Sequence, residues 1–497
     1  MDLSKNNKFN LVEILPFIIS ILVLGLLFVV YMKYPFLSVD EGFTRGFMNL
    51  SFADMVGLTA IDVHPPLYYF IAMAFVKICH AIGLSFNITQ MMKFPSIIPY
   101  FILFAFSLTK LKKEYGLLMG GTFSLALIVL SDFFLQYLTA RMYTWAMLFL
   151  IISFFYVKDI LEKNDLKSWI LFTIFSVLGA YTHYFTGLSS VVIYMMLFVW
   201  ILVNRNDGSF KDSLKKFFIS VVVGFVLYIP WMFTLYKQMQ VVQESYWVEP
   251  ITLNNIASFL SYSLTYSGNT FIILASSVLV LVIFAVFLIK YIKTRDGDDL
   301  YLLMGVSVFF GTLLAGVILS VGYRPILLTR YLLPSIGVFW LCLSIKFTKL
   351  ELKNSTILMI ILLIAVVGAF NVYHEVQDIQ HMNDDTIKEA KVLDKINNND
   401  SIVLYDSTNH YLRTHLYLDK IYKGYSGYSL GNKTVTLPYE LDIVNEPFVI
   451  PDDLSKFPDK KVYLMTFYKS KDKFPDNINA TKVGTAQHAK IYKIQMV

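Results

Sequence analysis

The feature that most constrains this chain is a series of apolar stretches, each near the length that crosses a lipid bilayer. A transmembrane helix needs about 20 predominantly apolar residues, with a range of about 17–25. The stretches that meet or nearly meet this length are 12–32, 94–110, 116–135, 142–157, 168–185, 186–203, 217–236, 270–290, 300–321, 332–347 and 355–372. Only 16% of the residues are charged, whereas a soluble protein carries roughly a quarter. The sequence therefore predicts an all-α polytopic membrane protein with about 11 transmembrane helices and excludes a soluble enzyme.

The loops between these stretches alternate in charge. One set is rich in lysine, for example Lys110, Lys112 and Lys113, and the other set is poor in basic residues but holds the unusual polar motifs. Because cytoplasmic loops of membrane proteins are enriched in Lys and Arg, we expect a multi-pass protein of the cell membrane with a cytoplasmic N-terminus. The formal net charge of +6 is therefore attributed to the lysine-rich cytoplasmic loops and does not indicate a nucleic-acid-binding site.

Residues 66–82 test this topology, since a hydropathy window accepts them as a further span. If they crossed, the later lysine-rich loops would fall on the wrong side. The segment also carries Lys77 and His80, which are costly at bilayer depth. We therefore predict a juxtamembrane helix at the outer face.

The composition changes after Tyr373. Residues 373–497 are polar and contain short β-like runs, among them Ser401–Tyr405 and Val462–Phe467. We predict a transmembrane domain over 1–372 and an extracytoplasmic α/β domain over 373–497. The chain has only two cysteines, which excludes a disulfide framework and a cysteine-based metal site.

Two polar motifs lie in the first outer loop. Ser38–Gly42 contains the adjacent acids Asp40 and Glu41, and about 22 residues later Asp62–Tyr69 reads Asp-Val-His-Pro-Pro-Leu-Tyr-Tyr. Either motif alone is ordinary, since acids beside a membrane are usually solvated and a Pro-Pro usually starts a helix. Together, and in this order, they resemble the membrane-embedded GT-C glycosyltransferases. The similarity is to the protein O-mannosyltransferase and aminoarabinose-transferase group, which is glycosyltransferase family 39-like.

Three later motifs extend this resemblance. Met92–Ser96 resembles an R-L/F-P-S motif, with Lys93 where arginine is usual, Ala140–Tyr143 resembles A-R-M-Y, and Arg330–Pro334 resembles R-Y-L-x-P. Relatives often carry a second acid just before A-R-M-Y, but here the nearest is Asp132, inside the preceding predicted span. A divalent cation is therefore left open and no metal site is predicted.

The resemblance implies transfer of a sugar from a polyprenyl-phosphate carrier (dolichyl or undecaprenyl) to a hydroxyl acceptor on the outer face, with inversion. The acceptor is a protein, a lipid or a cell-surface glycan. The reaction needs a base, which we assign to Asp40, with Glu41 orienting the acceptor. It also needs cations at the leaving phosphate, and these are His64, Lys93, Arg141 and Arg330. The residues predicted to bind substrate are Asp62, Tyr68, Tyr143, His183 and Tyr331.

Each of these residues also has an ordinary interpretation. Arg141 and Arg330 are placed where side chains reach lipid phosphates, Lys93 where an anchor flanks a span, and His183 in an aromatic belt. The alternative function is a membrane transporter or lipid flippase. Transporters commonly have broken helices and paired repeats at mid-membrane, whereas these motifs cluster at one face, which favours the enzyme.

Overall fold

The structure is a computed structural model that describes residues 11–48, 50–84, 86–244, 248–396, 401–405, 425–426, 461–466, 478–486 and 489–496. The described part is mostly helical. Its α-helices are α1 (Leu11–Lys33), α2 (Val39–Phe47), α3 (Phe52–Ile61), α4 (Leu67–Ala81), α5 (Ile88–Lys93), α6 (Ile98–Phe106), α7 (Lys112–Tyr115), α8 (Leu117–Val129), α9 (Phe133–Tyr137), α10 (Tyr143–Lys163), α11 (Leu166–Thr182), α12 (Tyr184–Val203), α13 (Phe210–Glu244), α14 (Leu253–Ser261), α15 (Thr270–Thr294), α16 (Gly297–Gly322), α17 (Leu333–Thr348) and α18 (Asn354–Ile396). Short 3₁₀ turns cover Phe94–Ser96 and Thr329–Leu332, and a π turn covers Ser107–Leu111.

Each of the predicted spans overlaps at least one helix, and the span 94–110 is divided among a 3₁₀ turn, α6 and a π turn. Within the described residues, 9 helices are long and apolar enough to cross a membrane, and three shorter apolar helices accompany them: α4, α8 and α11. The predicted span 116–135 is shorter than expected because α8 ends at Val129. Leu130 is extended and Ser131 has a left-handed φ of 57°. Asp132 therefore lies in a connection after the helix and not inside the span.

The segment predicted to lie at the outer face forms α4, which has 15 residues. At 1.5 Å per residue it is about 22 Å long, compared with the roughly 30 Å of a bilayer core. That α4 does not cross the membrane stays a prediction.

The chain divides into two compact units. The first, here termed the bundle unit, comprises Met1–Tyr31, Thr59–Phe75 and Lys93–Val376. In its core α10 packs against α11, α16 and α17. Small residues allow this close packing, since a Cβ at Gly305 of α16 would lie 2.2 Å from the sulfur of Cys342 on α17.

The second unit, here termed the sheet unit, comprises Met32–Leu58, Val76–Met92 and Gln377–Val497. Its described strands are β1 (Ser401–Tyr405), β2 (Tyr425–Ser426), β3 (Lys461–Thr466), β4 (Ile478–Ala486) and β5 (Ala489–Met496). They form one sheet with the order β2-β1-β3-β5-β4. The β1 strand pairs in parallel with β2 and β3, whereas β5 pairs antiparallel with β3 and β4. The predicted run Ser401–Tyr405 is β1, and the described part of the run Val462–Phe467 lies in β3, with Phe467 outside the described residues. The domain boundary predicted after residue 372 lies inside α18.

Candidate active site

A chain of polar contacts links two of the sequence motifs within the bundle unit. The Nδ1 atom of His64 lies 2.7 Å from Oδ2 of Asp62. The Nε2 atom of His64 lies 3.0 Å from a terminal nitrogen of Arg141. The other terminal nitrogen of Arg141 donates to the hydroxyl of Tyr69 at 3.2 Å. His64 precedes Pro65, and a proline disfavours helix at the residue before it. His64 therefore lies in the turn before α4, where it makes both of these contacts.

Ser96 joins three motifs through hydrogen bonds. Its hydroxyl lies 2.9 Å from the hydroxyl of Tyr68 and donates to the carbonyl of Arg141 at 3.4 Å. Its own carbonyl accepts a hydrogen bond from Thr144 at 2.9 Å. Tyr68 is fully buried and Lys93 is 3% exposed. The hydrogen bonds of Ser96 therefore hold the backbone around Arg141, although these residues are far apart in the sequence.

Three predicted substrate residues form one aromatic cluster with Arg330. The ring of His183 lies 4.8 Å from that of Tyr331 and 5.4 Å from that of Tyr143. The guanidinium of Arg330 lies over the Tyr143 ring at 5.9 Å, within the range of a cation–π interaction. Arg330 reaches this position from the 3₁₀ turn Thr329–Leu332, immediately before α17. Residues from α10, the α11–α12 connection and the 3₁₀ turn thus converge.

His183 is an extended residue between α11 and α12 and is 3% exposed. Burial lowers the pKa of His183 well below its ordinary value, and the nearby His64, Arg141 and Arg330 act in the same direction. The imidazole is therefore neutral at physiological pH. Its Nδ1 atom has no hydrogen-bond partner within the described part of the chain, so it is available to a ligand.

A cavity of about 440 Å³ lies beside these residues, and its lining includes His64, His183 and Tyr331. This volume is within the range of ligand sites, about 300–1,000 Å³. Most of the other lining side chains are apolar, for example Leu188 and Leu235. The site therefore combines a polar cluster with an extensive hydrocarbon surface.

Gln238 of α13 also lines the cavity, and sequence reasoning missed it. Its side-chain nitrogen donates to the carbonyl of Thr59 at 2.8 Å, and its side-chain oxygen accepts from the hydroxyl of Tyr184. Trp231 donates to the same Tyr184 hydroxyl at 2.9 Å. These bonds anchor the chain segment that leads to His64. The feature of the sequence that could have identified Gln238 is the presence of a glutamine in a largely apolar helix.

Asp132 is buried after α8, and one of its oxygens accepts a hydrogen bond from Gln136 at 2.9 Å. Burial raises the pKa of Asp132 to about 6, against the opposing effects of Tyr262, Gln136 and Arg330. Among the residues described by the structure, no group of three or more His, Cys, Asp or Glu side chains is arranged to hold a metal ion.

The two predicted acids of the first motif belong to the sheet unit. Glu41 is fully buried, and its Oε2 accepts hydrogen bonds from both the amide and the hydroxyl of Ser38 at 2.9 Å. With the return bond from the Glu41 amide to Ser38, this is a capping box at the start of α2. Asp40 is half-buried in the first turn of that helix. Glu41 therefore has a structural role, and its part in orienting an acceptor stays a prediction.

Comparison with known proteins is informative at the level of fold. No protein-family model matches the chain, and no curated protein is similar to it in sequence. ArnT from Cupriavidus metallidurans bound to undecaprenyl phosphate is similar in structure, with a TM-score of 0.58 and 12% identity over 95% of this chain and 97% of that chain. The same protein in the apo state gives a TM-score of 0.46 at 12% identity, with the same shares of each chain covered. The chain thus has the polytopic helical fold of the GT-C type, as its motifs predict.

Proposed function

We propose that this protein is a membrane glycosyltransferase that takes a sugar from a polyprenyl-phosphate carrier and transfers it to a hydroxyl acceptor. The observation that carries the proposal is the cavity beside His64, His183 and Tyr331. His64, which lines the cavity, contacts the guanidinium of Arg141 at 3.0 Å, whereas most of the remaining lining is apolar. A ligand that matches both has an anionic head and a long hydrocarbon chain, and the solved ArnT structure contains such a ligand, undecaprenyl phosphate.

The cations have a chemical task in this reaction. The acceptor oxygen attacks the anomeric carbon of the sugar, the bond from that carbon to the phosphate oxygen breaks, and the carrier leaves as a phosphomonoester with increased negative charge. Positive groups aimed at that oxygen lower the barrier. Arg141, Arg330 and His64 all act electrostatically on His183, which supports their convergence at one place. Lys93 is the fourth proposed phosphate ligand.

The neutral residues of the cluster are proposed to hold the sugar. Within the described part of the chain the Nδ1 atom of His183 has no hydrogen-bond partner, and the rings of Tyr143 and Tyr331 flank the imidazole. Asp62 positions His64 through their 2.7 Å contact. Tyr68, whose hydroxyl contacts Ser96, is proposed to support the substrate site through that contact. A cluster of rings and neutral hydrogen-bonding atoms suits a sugar, which is polar at its hydroxyls and apolar at its ring faces.

The acceptor's proton goes to a base, which we assign to Asp40 on the strength of the first-loop motif. Attack from the side opposite the phosphate gives inversion at the anomeric carbon. The proposal also places the reaction on the outer membrane face, with the C-terminal residues outside.

Purified protein in liposomes tests this function. The expected result is that a polyprenyl-phosphate sugar is converted to free polyprenyl phosphate and a glycosylated acceptor, and that a deletion strain lacks one defined glycan. A transporter or flippase would instead move the lipid across the bilayer with its sugar still attached. That outcome, with unchanged glycans in the deletion strain, would refute the enzyme.

A further inference from the structure

The contact between His64 and Arg141 determines which atom of the imidazole carries the hydrogen. The Nε2 atom of His64 lies 3.0 Å from a terminal nitrogen of Arg141. A guanidinium has five N–H donors and no acceptor, and it stays charged in proteins. An N–H group at Nε2 would therefore point at another N–H group. Nε2 must instead offer its lone pair to Arg141.

The other ring nitrogen then carries the hydrogen. The Nδ1 atom of His64 lies 2.7 Å from Oδ2 of Asp62, and a carboxylate only accepts hydrogen bonds. Nδ1 therefore donates to Asp62, and the imidazole is the neutral Nδ1–H tautomer. This tautomer is assigned from the hydrogen-bonding partners. An imidazolium would also donate to Asp62, but it would place two positive donors 3.0 Å apart.

Contacts along the chain hold His64 in this position. Just before it, the side-chain nitrogen of Gln238 donates to the carbonyls of Thr59 at 2.8 Å and of Ala60 at 3.4 Å. Just after it, the ring of Pro65 fixes one backbone angle at the start of the turn into α4. The side chain of His64 is 13% exposed. The position of the imidazole is therefore set by the surrounding fold.

The same motif offers a second acceptor to Arg141. The other terminal nitrogen of Arg141 donates to the hydroxyl of Tyr69 at 3.2 Å, and Ser96 donates to the Arg141 carbonyl at 3.4 Å. A guanidinium is planar, so an acceptor at each terminal nitrogen fixes its plane. A guanidinium held in one plane is prepared to donate two parallel hydrogen bonds to a phosphate.

We propose that His64 is a positioning residue, whose neutral imidazole accepts a hydrogen bond from Arg141 and orients the guanidinium for the donor phosphate. This inference rests on the proposed function and changes one part of it. The positive charge at the phosphate then comes from Arg141, Arg330 and Lys93, and not from His64. The alternative is a cationic His64 that contacts the phosphate itself, which is the role that the sequence motifs predict.

Two substitutions at His64 separate the acceptor from the charge. The measurement is the dissociation constant of undecaprenyl phosphate for the purified full chain at pH 7.5. His64→Gln places a neutral amide oxygen at a reach similar to that of Nε2, so we expect binding to weaken by about threefold or less. His64→Lys keeps a positive charge but removes the acceptor and repels Arg141, so we expect binding to weaken about tenfold or more. The matched controls are His80→Gln and His80→Lys, at an exposed histidine of α4, and neither should change binding.

The pH dependence of binding gives a second readout. Between pH 8 and pH 5 a histidine takes up a second hydrogen, which removes the acceptor and adds charge beside Arg141. The lipid phosphate and the other titratable or charged groups around this pair are the same in the wild type and in His64→Gln, so the ratio of the two dissociation constants isolates His64. We expect wild-type binding to weaken relative to His64→Gln by about fivefold or more as the pH falls. The other groups are Asp62, Tyr69, His183, Tyr184 and Arg330.

The outcomes separate this inference from the proposed function. If the wild type does not bind undecaprenyl phosphate, the proposed donor is wrong and the inference falls with it. If the wild type binds but His64→Gln does not bind more tightly than His64→Lys, the donor stands and the inference is overturned. Wild-type binding that strengthens relative to His64→Gln at low pH overturns it equally, because His64 then acts as a cation.

Asp62→Asn is a further variant for the case in which thermal unfolding shows both His64 variants to be misfolded. Its amide oxygen still accepts the Nδ1 hydrogen, so the neutral tautomer persists and binding should weaken by about threefold or less. A cationic His64 would lose its counter-charge in this variant. A loss of about tenfold or more would therefore overturn the inference.

Discussion

Substitution of Arg141 is the sharpest test of how the candidate site binds its donor. The side chain is 4% exposed, and its two terminal nitrogens contact His64 at 3.0 Å and Tyr69 at 3.2 Å. A hydrogen bond to a charged group is worth about 1.5–3 kcal/mol. Loss of one such contact to the donor phosphate should therefore weaken binding about 10- to 100-fold.

Two variants divide this effect into charge and geometry. Arg141→Lys keeps the charge but replaces the planar guanidinium, which can donate two parallel hydrogen bonds to a phosphate, with a compact ammonium group. We therefore expect about tenfold weaker binding of undecaprenyl phosphate. Arg141→Met removes the charge as well, and we expect a loss of about 100-fold or more. Binding of undecaprenol, which lacks the phosphate, should not change in either variant. The measurement is the dissociation constant of each lipid for purified protein in detergent.

The matched control is Arg205→Met, at an exposed position in the turn between α12 and α13. It should bind both lipids as the wild type does. Thermal unfolding of each variant identifies any that is misfolded. If Arg141→Met is folded and binds undecaprenyl phosphate within twofold of the wild type, then Arg141 does not hold the phosphate and the reasoning is refuted.

Further predictions concern the buried acids and the topology. The raised pKa of Asp132, about 6 against 3.8, means that its carboxylate destabilises the fold above about pH 6 and that this cost is absent below about pH 4. Asp132→Asn should thus be more stable at pH 7.5, by up to about 3 kcal/mol, and equal to the wild type at pH 4 in thermal unfolding. Glu41→Ala should lower stability by about 0.5–2 kcal/mol through loss of the capping box, whereas Glu41→Gln should retain it, and equal melting of the two would contradict the cap. Asp40→Asn should bind donor normally but turn over about 10²–10⁴-fold more slowly, and a normal single-turnover rate would exclude it as the base. In a cysteine-free background, the exposed positions Thr485→Cys and Asp207→Cys should react with an impermeant maleimide from opposite sides, and labelling of both from outside would overturn the topology.

The helices of the bundle could be predicted from hydropathy because a span depends on local composition. The end of α8 could not, because Leu130 and Ser131 break the helix through backbone angles that an apolar window does not register. Hydropathy consequently predicts Asp132 inside a span, whereas the structure has it in a buried connection between α8 and α9. The strands β1 and β3 were predictable, whereas their parallel pairing follows from the tertiary structure.

The motif residues of the candidate site could be named from the sequence because their types and order resemble those of a known group. Their partners could not. Ser96 joins Tyr68 to Arg141 across 28 and 45 residues, and Gln238 reaches Thr59 across 179. Contacts at such separations depend on how helices pack, which no local pattern specifies.

The sequence by itself determined that the chain is a polytopic membrane protein and which side chains are suited to bind an anionic group. The length of an apolar stretch and the chemistry of each side chain can be taken directly from the sequence, so no structure is needed to establish them. Only the tertiary structure decided that Glu41 caps a helix, that His183 is buried and neutral, and that a largely apolar cavity lies beside the polar cluster. Burial, pKa and cavity shape depend on which distant helices come together, and that is a property of packing.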